Sequence, residues 1–159
     1  MEHSSVANYF GYPYTTLNIH NTPREEVAAM YILASSQDMA PNQDSIYNSI
    51  ITCAVRPALV IDSIPDSYCA EVAGCYINTD SLPHAWSHDN TWAQEEDAVF
   101  KNTYYKYGEY LYYDFHLATP SKARQIGLPL SSLRLQIATD LNGVSRDPEH
   151  PDAGCYSNQ

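Results

Sequence analysis

Residues 90–117, NTWAQEEDAVFKNTYYKYGEYLYYDFHL, contain the two patterns from which we predict the fold. The segment Trp92–Tyr107 places apolar and aromatic side chains on one face at helical spacing, and Gly108 follows where a helix C-cap is expected. The segment Glu109–Leu117 then alternates apolar and polar residues with the period of a β-strand. This stretch therefore predicts a helix followed directly by a strand.

A second principal helix is predicted at Glu25–Ala34. Thr22 and Pro23 are suited to its N-cap and first position, and the residues after them are apolar almost all round, as in a helix packed between other elements. A shorter helix is predicted within residues 45–55. Segments typical of strands lie at 14–20, 58–62, 72–77 and 133–138.

The predicted fold class is α+β: a single domain with a mainly antiparallel sheet on which the two principal helices pack. Residues 1–12 are expected to form a flexible or strand-like arm. Residues 13–140 are expected to form the domain. The remaining residues, 141–159, are expected to form a polar, turn-rich tail in which Asn142-Gly143 leads a turn.

Charge and length limit the function classes. A chain of 159 residues suits one domain, and 8 Lys and Arg against 19 Asp and Glu give a net charge of −11. The basic residues are scattered, so nucleic acid and anionic membrane surfaces are not expected partners. Such an acidic surface serves solubility, or it binds cations or a basic partner.

The sequence predicts no membrane insertion. The segment Met1–Phe10 has neither the basic start nor the apolar centre of a signal peptide. No apolar stretch reaches the roughly 20 residues that a transmembrane helix needs. We therefore expect synthesis in the cytoplasm and leave later assembly into a virion or a cell surface open.

Four cysteines allow three disulfide pairings. The sequence order suggests Cys69 with Cys75, and Cys53 with Cys155. No Cys-x-x-Cys spacing is present, which disfavours a zinc knuckle or a thioredoxin-type site. Without a signal peptide, free buried thiols are the alternative to these possible disulfides.

The candidate catalytic residues share one face of the strand predicted at 109–117, and they are Tyr110, Tyr112, Asp114 and His116. An aspartate can orient a histidine, and tyrosine, aspartate and histidine together can carry out general acid–base chemistry on a small polar molecule. The alternative is that this face is the wet side of an antiparallel sheet or part of a protein interface.

The candidate metal ligands are His84, His88 and Asp89. Two histidines four residues apart would share one helix face, as zinc sites require. The glutamate of the zinc-protease motif is absent, however, and Pro83 indicates a loop. We therefore predict neither a metal nor a cofactor.

No complete nucleotide-binding or serine-hydrolase motif is present. The chain has 14 tyrosines and only 3 phenylalanines, a composition suited to half-wet interfaces. We predict a non-catalytic structural or interaction subunit of a virion, filament or cell-surface assembly, which binds a protein partner or forms a homo-oligomer. The alternative is a small-molecule enzyme or binding protein that uses the Tyr/Asp/His strand face.

Overall fold

The protein is described by a computed structural model. The structure describes residues 1–8, 29–33, 43–53, 57–62, 69–80, 82, 87–94, 97–103 and 113–157. Eleven short strands lie in these ranges: β1 (Ser5–Asn8), β2 (Met30–Leu33), β3 (Gln43–Tyr47), β4 (Ile50–Cys53), β5 (Leu59–Asp62), β6 (Cys69–Ala73), β7 (Tyr76–Ile77), β8 (Ser87–His88), β9 (Thr91–Trp92), β10 (Phe100–Asn102) and β11 (Asp114–Leu117). The helical content of the described residues is a short 3₁₀ helix, Leu130–Ser132.

Most of the strands pair in parallel with a strand from the next pass of the chain. Strand β2 pairs with β5, β3 with β6, and β4 with β7. In the following pass, β8 pairs with β6 and β9 with β7, while β1 pairs with the other edge of β4. The chain therefore winds in successive coils that stack on one another, which is the topology of a parallel β-solenoid.

Each coil turns a corner through a two-residue step that separates two strands. The first residue of each step has a positive φ: His3 (44°), Asn48 (48°), Gly74 (63°) and Asp89 (53°). The strand register places the last three side by side, since Tyr47 pairs with Ala73 and Ala73 with His88. His, Asn, Asp and Gly tolerate this left-handed conformation better than other residues. The corners form one column along the stack.

The second corner residues support this column through hydrogen bonds. The backbone N–H of Ser4 donates to Ser49 Oγ at 3.2 Å. The backbone N–H of Cys75 donates to Asn90 Oδ1 at 2.9 Å, and Asn90 Nδ2 donates to the carbonyl of Val72 at 2.7 Å. Backbone groups that the corner takes out of the sheets thus find partners in the neighbouring coil.

Aliphatic side chains stacked between the sheets form the core of the coils. Ile46 and Val72 lie in register on β3 and β6, and Ile51 and Ile77 lie in register on β4 and β7. A second cluster, around Ile50 and Tyr76, joins the coils to the antiparallel pair β10–β11. All four residues of β4 are buried, so this strand has no exposed face and its sequence lacks the polar–apolar alternation of a half-exposed strand.

Residues 118–157, here called the C-terminal segment, are mostly turns and extended chain and pack against the corner column. The N–H of Gly154 donates to the carbonyl of Asn48 at 2.8 Å, and the N–H of Cys155 donates to Ser5 Oγ at 3.2 Å. A Cβ on Gly154 would lie 2.7 Å from Ile50 Cδ1. Together with the left-handed φ of 92° at Gly154, this contact disfavours any side chain and shows how closely the segment is fitted.

The predicted α+β class, with an antiparallel sheet and two principal helices, is wrong. Within Glu25–Ala34 the described residues contain strand β2, and within Trp92–Tyr107 they contain the end of β9 and the whole of β10. The helix predicted within 45–55 is replaced by the end of β3 and by β4. Short apolar runs buried on both sides cannot be assigned to helix or strand by periodicity, and stacking of the coils decides for strand.

The possible disulfides are also not formed, since Cys53, Cys75 and Cys155 are not disulfide-bonded. Cys53 is part of the apolar core, and Cys75 Sγ lies at the corner column, 3.3 Å from the carbonyl of Ala73. Cys155 Sγ contacts Ser5 Oγ instead of Cys53. Neither of the possible pairings is therefore made.

Candidate functional site

Asp114 and His116 lie side by side on β11. Two residues apart on a strand, they point to the same face. His116 Nδ1 lies 2.6 Å from Asp114 Oδ1, and the backbone N–H of His116 donates to the same oxygen at 3.0 Å. These contacts, led by the backbone N–H, lower the pKa of Asp114. The other candidates on this face, Tyr110 and Tyr112, lie outside the described residues.

The second nitrogen and the plane of the His116 ring contact the C-terminal segment. Asn142 Nδ2 lies 2.8 Å from His116 Nε2, and Tyr156 stacks on the imidazole with ring centroids 4.1 Å apart. Asp114 and Asn142 together occupy both ring nitrogens. Through these contacts His116 links β11 to the C-terminal segment. Sequence analysis marked Asn142 as a turn residue and did not connect it to His116.

A second polar group, here called the outer cluster, lies where β3, β6 and β8 adjoin, and consists of Tyr47, Glu71, His88 and Asp89. Tyr47 Oη donates to Glu71 Oε2. His88 Nε2 lies 3.1 Å from Glu71 Oε1, and His88 Nδ1 lies 2.9 Å from Asp89 Oδ2. Parallel pairing brings these residues together from three coils, although they are far apart in sequence.

The charges of the outer cluster depend on one another. Hydrogen bonds from Tyr47 and then His88 lower the pKa of Glu71. Hydrogen bonds to Asp89 and then Glu71 raise the pKa of His88. The side chain of His88 is 50% exposed and that of Glu71 is 35% exposed, so water screens these interactions. The cluster is an open acidic surface with one titratable cation.

The candidate metal ligands do not converge in the described part of the chain. His84 lies outside the described residues. Each nitrogen of His88 contacts a different carboxylate, one from Asp89 and one from Glu71. Among the described residues, no group of three histidine, cysteine or acidic side chains is arranged to hold a metal ion.

The C-terminal segment contains a buried charged centre that sequence analysis did not identify. Arg146 is 6% exposed, and its guanidinium donates to the carbonyls of Asp152 at 3.3 Å and Gly154 at 3.0 Å. Asp140 accepts backbone N–H groups from Asn142, Val144 and Ser157, each at 2.8 or 2.9 Å.

Beside this centre the segment forms a small polar cleft lined by Arg124, Gln125, Ser145, Asp147, His150, Asp152 and Ser157. Several of the polar groups already have partners: Asp147 Oδ1 accepts the N–H groups of Glu149 and His150, and Asp152 Oδ1 accepts that of Gln125. The cleft does not include the Asp114–His116 pair or the outer cluster.

Cys75 is poorly suited to nucleophilic chemistry. It is fully buried, and burial raises the pKa of its thiol to about 12. The thiolate is the reactive form of cysteine, and at neutral pH this site contains almost none of it.

Comparison with protein families, curated proteins and solved structures found no match for this chain. No helix within the described ranges is long and apolar enough to cross a bilayer.

Proposed function

We propose that the protein is a non-catalytic interaction module that binds a protein partner through the outer cluster. The observation that carries this proposal is the hydrogen-bonded row of Tyr47, Glu71 and His88 across three neighbouring coils. Each of these side chains is fixed by a strand in the stack, so the row is ordered before a partner arrives. Such preorganisation reduces the entropy lost on binding.

The geometry favours binding over catalysis at this surface. The row lies on an outward face, whereas enzymes bury a small substrate in a concave site. Both nitrogens of His88 are taken by carboxylates. The same is true of His116, whose nitrogens contact Asp114 and Asn142. Neither histidine offers a free nitrogen for proton transfer.

The chemistry of the surface indicates a basic partner. Glu71 and Asp89 supply carboxylates, and the chain as a whole has a net charge of −11. Complementary charge speeds association and selects partners. The contact face of the partner is therefore expected to contain arginine or lysine side chains.

An arginine-rich peptide is a suitable probe, and Glu71→Arg and Glu149→Arg are a matched pair of variants. Both change the net charge equally, but only Glu71 belongs to the outer cluster; Glu149 lies on the exposed C-terminal segment. We expect fluorescence anisotropy to show binding by the wild type, with affinity reduced at least about tenfold further by Glu71→Arg than by Glu149→Arg. Equal loss in both variants, or no binding by the wild type, would contradict the proposal.

The alternative, a small-molecule enzyme or binding protein, has one observation in its favour: the 2.6 Å contact between Asp114 and His116. An aspartate holding the Nδ1–H of a histidine is the arrangement that leaves Nε2 basic. If this pair is catalytic, Asn142→Ala should free Nε2 and increase its rate of modification by diethyl pyrocarbonate, while Asp114→Asn should lower it. Unchanged reactivity in both variants would exclude this alternative.

A further inference from the structure

A histidine in an unusual setting lies at the corner column, close to the C-terminal segment. His3 is 5% exposed and lies in the first corner, with a left-handed φ of 44°. Its Nδ1 is buried and has no hydrogen-bond partner in the structure. Its Nε2 lies 3.5 Å from Asn48 Nδ2, at the limit of a hydrogen bond.

The neighbouring amide cannot adapt to a change in the charge of His3. Asn48 Oδ1 accepts the N–H of Leu128 at 2.7 Å, and Asn48 Nδ2 donates to the carbonyl of Leu128 at 2.9 Å. These two bonds fix which end of the amide faces His3. Because Nδ2 is a donor, His3 Nε2 must be the acceptor. A proton added to Nε2 would place two donors against each other in a buried site.

The segment itself contributes a second obstacle to a charged His3. Burial, and then the positive charge of Arg146, lower the pKa of His3 from 6.5 to about 4, and a backbone group of Asp152 only partly opposes this shift. The carboxylates of Asp140 and Asp152 act on Arg146 from the same segment. The docked arrangement is therefore built for the neutral imidazole.

We propose that protonation of His3 loosens the C-terminal segment from the corner column, so that the segment is an acid-responsive clasp on the coils. The sign follows from linkage. When the segment is released, His3 is exposed to water and regains its ordinary basicity. The docked state is fully stable above about pH 6.5 and loses stability as the pH falls from 6.5 towards about 4, because the released state binds the proton more tightly.

Hydrogen–deuterium exchange, corrected for the intrinsic pH dependence of exchange, measures this directly. The reporter amides are those that dock the segment, Leu128 and Gly154. The reference amides lie within the stacked coils, Asn78 and Ala93. From about pH 7.5 to about pH 5, protection of the reporters should fall about 30-fold relative to the references. An equal loss of protection in both sets would mean general unfolding and would overturn the proposal.

Two variants assign the effect to His3. His3→Gln retains a neutral polar side chain and should reduce the pH-dependent loss to less than about threefold. His150→Gln removes an exposed histidine from the same segment and should leave the 30-fold loss unchanged. A full loss in His3→Gln, or its disappearance in His150→Gln, would contradict the assignment.

A measurement on the wild type decides the matter if His3→Gln does not dock. The ring signals of His3 can be titrated by NMR alongside the protection of the Leu128 and Gly154 amides. The proposal requires both to change over the same pH range. Titration of His3 with no loss of protection, or loss of protection without titration of His3, would overturn it.

Discussion

The side-chain amide of Asn48 binds the backbone of Leu128 at both ends. Its Oδ1 accepts the N–H of Leu128 at 2.7 Å, and its Nδ2 donates to the carbonyl of the same residue at 2.9 Å. Asn48 is fully buried at a coil corner, and the two residues are 80 positions apart. This pair joins the solenoid to the C-terminal segment, and it satisfies both the N–H and the carbonyl of Leu128, as strand pairing would.

Replacing Asn48 by aspartate tests this joint. Asn48→Asp keeps the shape but removes the donor to the Leu128 carbonyl and places a carboxylate in a buried site. We expect a loss of about 2–4 kcal/mol in the free energy of unfolding, measured by urea denaturation at neutral pH. The matching amide-to-carboxylate change at the exposed Gln136, Gln136→Glu, is the control and should alter stability by less than about 1 kcal/mol. Similar losses in both variants would show that the joint does not hold the segment.

Gly74 and Gly143 are a matched pair for testing close packing at the corner. Both have a positive φ, 63° and 77°. A Cβ on Gly74 would lie 2.5 Å from Asn48 Oδ1 and 2.8 Å from the Leu128 nitrogen, whereas a Cβ on Gly143 would have nothing within 4 Å. Gly143→Ala should therefore cost about 1 kcal/mol for the backbone alone, and Gly74→Ala at least about 2 kcal/mol more.

Urea denaturation of the two alanine variants gives the comparison. Because the left-handed backbone is common to both, the difference between them reports the steric contact of the Gly74 site. Equal destabilisation would mean that the corner can move apart without loss, and that the fit between Asn48 and Leu128 is not tight.

Asp97 anchors the second core cluster by a set of polar contacts. It accepts hydrogen bonds from Tyr76 Oη at 2.9 Å and from the backbone N–H of Gln94 at 2.8 Å, and it lies 2.7 Å from Lys122 Nζ. Burial by itself would raise the pKa of Asp97, but these contacts lower it below its ordinary value. Asp97→Asn should lower the free energy of unfolding by about 1–3 kcal/mol at neutral pH.

The pH dependence distinguishes an electrostatic loss at Asp97 from a packing loss. The lowered pKa means that the contribution of Asp97 is present above its ordinary value of 3.8 and is lost as the pH falls through the folded value. The difference between the wild type and Asp97→Asn should therefore shrink in acid. Glu149→Gln, at an exposed side chain outside these contacts, is the control. A difference that stays constant with pH would contradict the electrostatic explanation.

The outer cluster predicts a measurable coupling between Glu71 and His88. The contact of Glu71 with His88 helps to raise the pKa of that histidine. Glu71→Gln should move the pKa back towards 6.5, as followed by NMR titration of the ring, while the exposed Glu149→Gln should not. The stabilisation from a raised histidine pKa is complete below about 6.5 and is lost as the pH rises through the folded value. An unchanged titration in Glu71→Gln would mean that Asp89 alone sets the pKa.

Sequence analysis located the strands β5 and β11 and misassigned the helices for a definable reason. The apolar run at 58–62 was assigned to strand, and the structure contains β5 at Leu59–Asp62. The runs at Glu25–Ala34 and 45–55 are also rich in apolar residues but were assigned to helix. All three runs fit the same local pattern, because a strand that is buried on both sides lacks the alternation that distinguishes a strand from a buried helix.

The candidate sites show the same division. Asp114 and His116 were identified together because two residues on one strand are close whatever the fold. Asn142 and Tyr156, which complete that group, come from a distant segment. Likewise His88 and Asp89 were noticed as neighbours, but Glu71 and Tyr47 reach them only through parallel pairing.

What the sequence determined by itself is local: the acidic charge, the apolar runs, the turn at Asn142-Gly143 and the Asp114–His116 pair. Tertiary structure alone decided that the runs are strands and that the corners align. The corner residues share a left-handed backbone conformation but not a residue type, and they recur at unequal separations along the chain. They are His3, Asn48, Gly74 and Asp89. A conformation that repeats at unequal spacing leaves no period in the sequence. The alignment of the corners therefore becomes visible only when the strands of each coil pair with those of the next coil.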